Sequence, residues 1–235
     1  MNMEYYSQYG QDTIFKQFFD QKKIEKGFFL DVGSVDGVYI SNTLLLENAG
    51  WDGICVEAHP SFFQFLVANR KCKCYSLAAG DKDSETCDFY AYHRASYSSL
   101  DSDVWLGKGL PENVNGVING KISIPMKKID TILEENGVTN LDFVTIDVDG
   151  SEKKTLGGFT LNRWLPTLLM LEHTVVGQDY IDRYASNYGY HKAMTIGSDT
   201  IYCRHKSDVE IILSLKVIGK QTKIIHPSDK YFGNE

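Results

Sequence analysis

The chain has 235 residues, of which 43% are hydrophobic and 23% are charged, and its formal net charge is −7. This composition is typical of a folded globular protein and excludes extensive disorder, and the length suits a single domain over residues 1–235. Nucleic acid is not expected as a partner, because the sequence has no cluster of Lys and Arg that could displace counterions from phosphates.

The first residues, MNMEYYSQ, have neither the basic start nor the apolar core of a signal peptide. No apolar run approaches the roughly 20 residues that a membrane span requires. The five cysteines are odd in number and form no Cys-x-x-Cys motif. We therefore expect a cytoplasmic protein with reduced thiols and no membrane span.

Apolar runs of strand length alternate with helical patterns along the chain. Strands are predicted at 27–32, 53–57, 74–79, 141–146, 167–172, 189–195 and 199–204, and helices at 42–49, 60–70, 129–136 and 151–156. This order predicts an α/β fold of the Rossmann-like type. It has a mostly parallel seven-stranded sheet, helices on both faces and an antiparallel C-terminal strand pair.

Two segments depart from this alternation. Residues 86–124 carry a strand-like stretch at 89–92 and then a polar, glycine-containing loop. Because insertions of this length are uncommon without a role, we interpret the segment as an inserted hairpin that forms a lid over the substrate. Residues 206–235 form a C-terminal extension.

The first strand ends in a motif that indicates a cofactor site, Asp31-x-Gly33-Ser34-x-Asp36-Gly37. Gly33 allows a tight turn, Gly37 would let a ligand lie close to the backbone, and Asp31 could accept from an ammonium group or hold the loop. The Gly-x-Gly-x-x-Gly fingerprint of dinucleotide sites is missing, and acidic side chains would repel a diphosphate. The motif suits S-adenosylmethionine, which carries an ammonium and a sulfonium.

The ends of the next two strands extend this prediction. Glu57 ends the second strand, where a carboxylate can accept from both hydroxyls of a ribose, and Ala58 follows it. Ala79 closes the third strand, where an adenine would lie. Asp81 could accept from the adenine amino group or could simply be a turn residue.

The fourth strand ends in a group of carboxylates. Asp147 is expected to face the reacting centre, and Glu152 either belongs to the site or complements the dipole of the following helix. Asp147, Asp149 and Glu152 could together hold a hard cation. We favour chance clustering at a polar turn, so no metal is expected.

Several ordered blocks resemble the FkbM-type methyltransferases. They are SQYGQD at 7–12, FLDVG at 29–33, DG at 36–37, SNTL at 41–44, W-x-G at 51–53, VE at 56–57, SSL at 98–100, ID at 129–130, IDVDGSE at 146–152 and LEH at 171–173. One departure is Asp149, where that family more often has Glu. The residues after 173 offer no such block.

The resemblance implies a class I methyltransferase fold and S-adenosylmethionine as cofactor. It also implies methylation of a hydroxyl oxygen on a small molecule, such as a natural product, or on a sugar or glycan. By the same route, the cofactor-site candidates are Asp31, Gly33, Glu57, Asp81 and Asp147, with Gln8, Gln11 and Asn42 bordering the same site.

Methylation of a hydroxyl also requires a proton acceptor. The candidates are Asp149, His173 after the fifth strand and His93 in the predicted lid. Aromatic residues of the lid could stack on a sugar face, although packing of the hairpin is the preferred interpretation. They are Tyr90, Tyr92, Tyr97 and Trp105.

Three other functions stay open at this point. An NAD-dependent oxidoreductase would also be α/β with an acidic residue after the second strand, but the third glycine is missing. A non-catalytic binding or scaffold protein is disfavoured by the intact acids at 31, 57 and 147. A metal-dependent catechol-type O-methyltransferase would lose turnover when divalent ions are removed. The oligomeric state is not indicated.

Overall fold

A computed structural model describes residues 4–94, 97–105, 107, 109, 111–223 and 225–232. Residues 95, 96, 106, 108 and 110 of the predicted lid, and 224 and 233–235 of the predicted extension, lie outside the described residues. No described helix has the length and apolar character needed to cross a membrane.

The described strands and helices alternate along most of the chain. The strands are β1 Glu4–Tyr5, β2 Phe28–Val32, β3 Asp52–Glu57, β4 Lys73–Ser76, β5 Ala78–Ala79, β6 Ser84–Ala91, β7 Asn113–Val114, β8 Val117–Ile118, β9 Gly120–Lys127, β10 Phe143–Ile146, β11 Leu168–Glu172, β12 His191–Ile196, β13 Asp199–Cys203 and β14 Lys220–Gln221. The helices are α1 Gln11–Gln21, α2 Leu44–Asn48, α3 Pro60–Asn69, α4 Ile129–Glu135, α5 Glu152–Gly157, α6 Leu161–Trp164, α7 Gln178–Asn187, α8 Lys206–Ser214 and α9 Pro227–Phe232.

The central sheet contains seven described strands in the order β12-β13-β11-β10-β2-β3-β4. Strand β13 pairs antiparallel with both β11 and β12, and the other pairs are parallel. The prediction of an α/β fold with a mostly parallel sheet is confirmed. The chain passes from β2 to β3 on one side of β2 and later returns to β10 on its other side. The switch point beside β2 is therefore where a ligand is expected.

Helices cover both faces of this sheet, because side chains of each strand alternate between the faces. On one face, Leu30 and Val32 pack with residues of α4, α5 and α7. On the other face, Phe29 packs with the aromatic residues of α1 and with residues of α2, α3 and α8. Helices α1, α6, α7, α8 and α9 lie in segments without a predicted helix.

The predicted third strand, residues 74–79, is wrong as a single element. It divides at Leu77 into β4, which stays in the central sheet, and β5, which pairs in parallel with β9 in a separate sheet of order β5-β9-β6. Leu77 and Ala79 pack in the main core, whereas Ala78 packs in the small core of the second sheet. The side chains of this one segment therefore pack in two different hydrophobic cores.

The predicted insertion at 86–124 is built on the antiparallel pair β6 and β9. Its aromatic residues pack within the hairpin region. The indole Nε1 of Trp105 donates to the carbonyl of Ala91 at 2.8 Å, and Tyr90 lies beside Trp105 with ring centroids 6.1 Å apart. Tyr92 contacts Tyr97 edge-on. These contacts agree with the packing interpretation of the lid aromatics.

The side chain of Arg70, directly after α3, is completely buried and binds the loop between β2 and α2. Its Nε donates to Glu47 Oε2 at 2.8 Å, and one terminal nitrogen donates to Thr43 Oγ1 at 2.9 Å. The other terminal nitrogen lies 4.0 Å from Asp31 Oδ2. The guanidinium thus compensates two buried carboxylates at once.

Replacing Arg70 tests this network. We expect Arg70→Met to lower the free energy of unfolding by about 3–5 kcal/mol, because it leaves buried carboxylates without their cation. Urea denaturation measures the change. The matched control is Arg163→Met, since Arg163 is half-exposed in its pair with Glu134 and should lose no more than about 1 kcal/mol. Equal losses in the two variants would contradict a special role for the buried network.

Candidate active site

A cavity lies at the carboxyl ends of β2, β3 and β10, where a sheet of this topology is expected to bind its ligand. Its lining combines the loop after β2, the end of β3, the segment around β5, the hairpin and the loop after β10. The lining residues are Asp31, Val32, Gly33, Ser34, Val35, Tyr39, Ile40, Ser41, Asn42, Val56, Glu57, Ala58, Leu77, Ala78, Ala79, Phe89, Ser98, Leu100, Thr145, Asp147, Val148, Asp149 and Ser151.

Gly33 explains why two strand ends can meet at this cavity. Its φ is +93°, and a Cβ at this position would lie 1.7 Å from the carbonyl oxygen of Asp147. Only glycine tolerates both the conformation and the approach of that backbone. The close crossing brings the ends of β2 and β10 together at the floor of the cavity.

Glu57, at the end of β3, is buried in the cavity wall and fixed by two backbone amides. Its Oε2 accepts from Val35 N and its Oε1 accepts from His59 N, each at 2.7 Å. Burial raises the pKa of Glu57 to about 7. Each carboxylate oxygen keeps a further lone pair, so the group can still accept from two ligand hydroxyls.

Asp31 and Asn42 form the wall nearest to Arg70. Asp31 Oδ2 accepts from Thr43 Oγ1 at 2.5 Å, so of the two roles considered for Asp31, the structure supports holding the loop. Burial raises the pKa of Asp31, while Arg70 opposes that shift. Asn42 Oδ1 is buried and, among the described residues, has no hydrogen-bond partner. It is an acceptor that a ligand could use.

A cluster of carboxylates lies where β10 and β11 end. One oxygen each of Asp147, Asp149 and Glu172 lies within 4.8 Å of the others. Burial raises the pKa of Asp147, Asp149 and Glu172, and for Asp149 and Glu172 the nearby Asp147 carboxylate raises it further. Asp199 lies opposite Glu172 in the β11–β13 register, and burial raises its pKa as well.

Glu152 has a different place from the one considered for it. Its Oε1 accepts from Val148 N at 3.1 Å and from Gly150 N at 3.2 Å, so it ties the loop between β10 and α5. The third carboxylate beside Asp147 and Asp149 is Glu172 instead. The predicted group of three carboxylates is therefore corrected, with Glu172 in the place of Glu152.

Of the predicted cofactor and catalytic residues, nine line the cavity. They are Asp31, Gly33, Ser34, Asn42, Glu57, Ala58, Ala79, Asp147 and Asp149.

Four predicted cofactor residues do not line it. Gln8 is exposed, and its carbonyl accepts from Gln221. Gln11 lies behind the cavity, where its Nε2 donates to Asp199 Oδ2 at 3.1 Å. Gly37 faces the Arg70 side chain, which a Cβ would meet at 2.5 Å. Asp81 is an exposed turn residue beside Gly157, consistent with the turn interpretation.

The two histidine candidates also lie outside the cavity lining. His173 is half-buried, with its Nδ1 3.4 Å from Thr200 Oγ1, and burial lowers its pKa. The backbone of His93 binds the Asn119 side chain and Ser228. Asp149 is thus the one of the three proton-acceptor candidates that lines the cavity.

Part of the lining was not predicted. Tyr39 and Ile40 come from the loop after β2, Leu77 from the link between β4 and β5, Phe89 from β6, and Leu100 from the hairpin. The SSL block at 98–100 was the available signal for the hairpin, since Ser98 and Leu100 line the cavity. Ser99 binds Ser151 through their hydroxyls at 2.8 Å and so joins the hairpin to the loop after β10.

The sequence matches a known protein family. A family model described as the methyltransferase FkbM domain matches residues 31–192. No curated protein matches the chain at a significant level. Among solved structures, the chain is similar to a TehB-like SAM-dependent methyltransferase from Corynebacterium glutamicum. The TM-score is 0.43 and the identity 9%, over 85% of this chain and 89% of that chain.

The family match covers more than half of the chain and contains every predicted site residue except Gln8 and Gln11. It confirms the resemblance drawn from the sequence blocks. The chain belongs to the methyltransferase FkbM domain family.

Proposed function

We propose that this protein transfers a methyl group from S-adenosylmethionine to a hydroxyl of a small molecule, such as a natural product, or of a sugar or glycan. The observation that carries the proposal is the charge of the cavity. Asp31, Glu57, Asp147 and Asp149 line it, and no Lys or Arg does so within the part of the chain that the structure describes. Such a lining favours a cofactor with an ammonium and a sulfonium over one with a diphosphate.

The residues present fit the two ends of this cofactor. Glu57 ends β3 and Asp147 follows β10, on opposite sides of β2. Neighbouring strands are about 4.8 Å apart, so the two carboxylates flank a span of roughly 10 Å. Glu57 would accept from the ribose hydroxyls, and Asp147 with the unpartnered Asn42 Oδ1 would bind the methionine end.

An apolar part of the cavity lies beyond Glu57 and suits the adenine ring. It is formed by Ala58, Leu77, Ala79 and Phe89. This position supports the prediction for Ala58 and Ala79, while recognition of the adenine by Asp81 is not part of the proposal. Residues 86–124 would cover the acceptor as a lid within a single domain, because Phe89, Ser98 and Leu100 of this segment line the cavity.

The cofactor supplies an electrophilic methyl group, and the protein's residues align and deprotonate the acceptor. We assign the proton acceptor as Asp149, because burial and the neighbouring Asp147 raise its pKa. With the cofactor bound, Asp149 would take the proton of the acceptor hydroxyl while the acceptor oxygen takes up the methyl group. The electron pair of the broken carbon–sulfur bond would stay on sulfur.

The alternatives predict different ligands. An NAD-dependent oxidoreductase needs a site for a diphosphate, and a scaffold protein needs no cofactor. Calorimetry with S-adenosylmethionine, S-adenosylhomocysteine and NAD separates these functions. We expect binding of the first two and none of NAD. Binding of NAD alone, or of none of the three, would overturn the proposal.

Substitution of Glu57 tests the ribose contact. We expect Glu57→Ala to weaken binding of S-adenosylhomocysteine by about 1.5–3 kcal/mol, the scale of hydrogen bonds to a charged group. Calorimetry gives the affinity, and circular dichroism checks the fold. Asp81→Ala is the matched control, because Asp81 is exposed outside the cavity. Unchanged affinity in a folded Glu57→Ala protein would remove Glu57 from the site.

The affinity should also depend on pH through Glu57. The pKa of this carboxyl is raised to about 7, and ribose hydroxyls donate best to the ionised form. Binding of S-adenosylhomocysteine should therefore tighten between about pH 6 and about pH 8, by up to about tenfold, and level off above that. In Glu57→Ala this rise should be absent. A flat profile in the wild type would refute the assignment.

Substitution of Asp149 tests the proton transfer. Asp149→Asn should slow turnover by about 10²–10⁴-fold, because it removes a general base. Binding of S-adenosylhomocysteine should stay nearly unchanged. Turnover is measured by formation of S-adenosylhomocysteine with a panel of sugar and natural-product acceptors. His173→Ala is the rival variant, and a larger loss in His173→Ala than in Asp149→Asn would transfer the role to His173.

A further inference from the structure

We propose that Asp147, Asp149 and Glu172 form a binding site for a divalent cation of the hard, oxygen-preferring type, such as Mg²⁺ or Mn²⁺. The site lies at the edge of the cavity away from Glu57. The sequence did not favour a metal and placed Glu152 in the group. The structure replaces Glu152 by Glu172 and adds an observation that the sequence could not offer.

The oxygens of the three carboxylates lie close together. Asp147 and Asp149 follow β10, and Glu172 ends the neighbouring strand β11. One oxygen of each lies within 4.8 Å of the others. Oxygens that share one cation lie at most about twice the metal–oxygen distance apart, which is roughly 4–5 Å for Mg²⁺ and Ca²⁺. The three oxygens therefore already lie close enough to share an ion.

One of the two carboxylate oxygens of Glu172 is buried without a hydrogen-bond partner among the described residues. This atom is Oε2, and Glu172 as a whole is 8% exposed. A buried carboxylate oxygen without a partner is destabilising, so such an atom usually binds a cation or a hydrogen-bond donor. Within the described ranges, no Lys, Arg or His pairs with Asp147, Asp149 or Glu172.

Hydrogen bonds hold the loop that carries Asp147 and Asp149. Glu152 accepts from the amides of Val148 and Gly150, on either side of Asp149. Asp149 has a φ of +49°, in the left-handed region that aspartate adopts more readily than most residues other than glycine. Glu152 thus fixes the loop that carries Asp147 and Asp149.

A cation there would act on the reaction that we propose for the cavity, and this part of the inference rests on the proposed function. A divalent cation lowers the pKa of a hydroxyl that it contacts. Each carboxylate would contribute one oxygen to the cation. An acceptor hydroxyl beside the cation would then lose its proton more readily.

Binding of Mn²⁺ to the full-length protein tests the site without any turnover. After EDTA treatment and dialysis, Mn²⁺ is titrated and followed by electron paramagnetic resonance. We expect one site in the wild type, at least about tenfold weaker binding in Glu172→Gln, and competition by Mg²⁺ or Ca²⁺. Absence of binding in the wild type, or equal binding in folded Glu172→Gln, would overturn the proposal.

Glu57→Ala is the matched control, because it removes a carboxylate from the same cavity but outside the group of three. It should keep its Mn²⁺ affinity within about threefold, whereas a larger loss would show a response to the total cavity charge and would also overturn the site. S-adenosylhomocysteine binding is measured in parallel. Glu57→Ala should weaken it and Glu172→Gln should leave it unchanged, so failure of the cation site and failure of the proposed function give different results.

Discussion

The buried guanidinium of Arg70 is the interaction on which the candidate site depends. It binds Glu47 and Thr43 directly and lies 4.0 Å from Asp31, and these residues frame the loop that follows β2. Gly37 has no side chain because the Arg70 side chain occupies that space. A buried charge held by several partners tolerates few alternative arrangements, because removal of any partner leaves an expensive unpaired group. The loop therefore has one shape, and the wall that it gives the cavity is preformed.

The parallel sheet then determines what the cavity can bind. Strands β3, β2 and β10 end side by side, so residues far apart in the sequence, such as Glu57 and Asp147, reach the same edge. Gly33 lets the ends of β2 and β10 approach within contact of each other's backbone. The result is a polar floor and acidic ends, with an apolar wall contributed by the second sheet. The close crossing of the two strand ends determines the shape of the cavity. The acidic side chains at the strand ends give the cavity its preference for a cationic ligand.

Much of this could be predicted from the sequence, because buried parallel strands are apolar runs whose final residues face the ligand edge. Asp31, Glu57 and Asp147 were found in this way, and all three line the cavity. Two roles were left open for Asp81, and the structure supports the turn. The division of the segment 74–79 at Leu77 depends on pairing with the distant β9, which the sequence does not show. Glu172 was missed in favour of Glu152. Strand β11 is buried throughout, so its sequence has no alternation to show that its last side chain lies beside Asp147 and Asp149.

The acidic group at the end of the sheet has a consequence for stability as well as for binding. Five carboxylates, those of Asp147, Asp149, Glu152, Glu172 and Asp199, have pKa values raised chiefly by burial. Side chains chosen for folding alone would be apolar there, since a buried carboxylate without a cation opposes folding. Their presence at the ligand edge indicates that part of the folding free energy is given up for function. A cationic ligand that neutralises the group would return that free energy, because a ligand that binds only the folded state stabilises it. Ligand binding and folding are therefore coupled through the same oxygens.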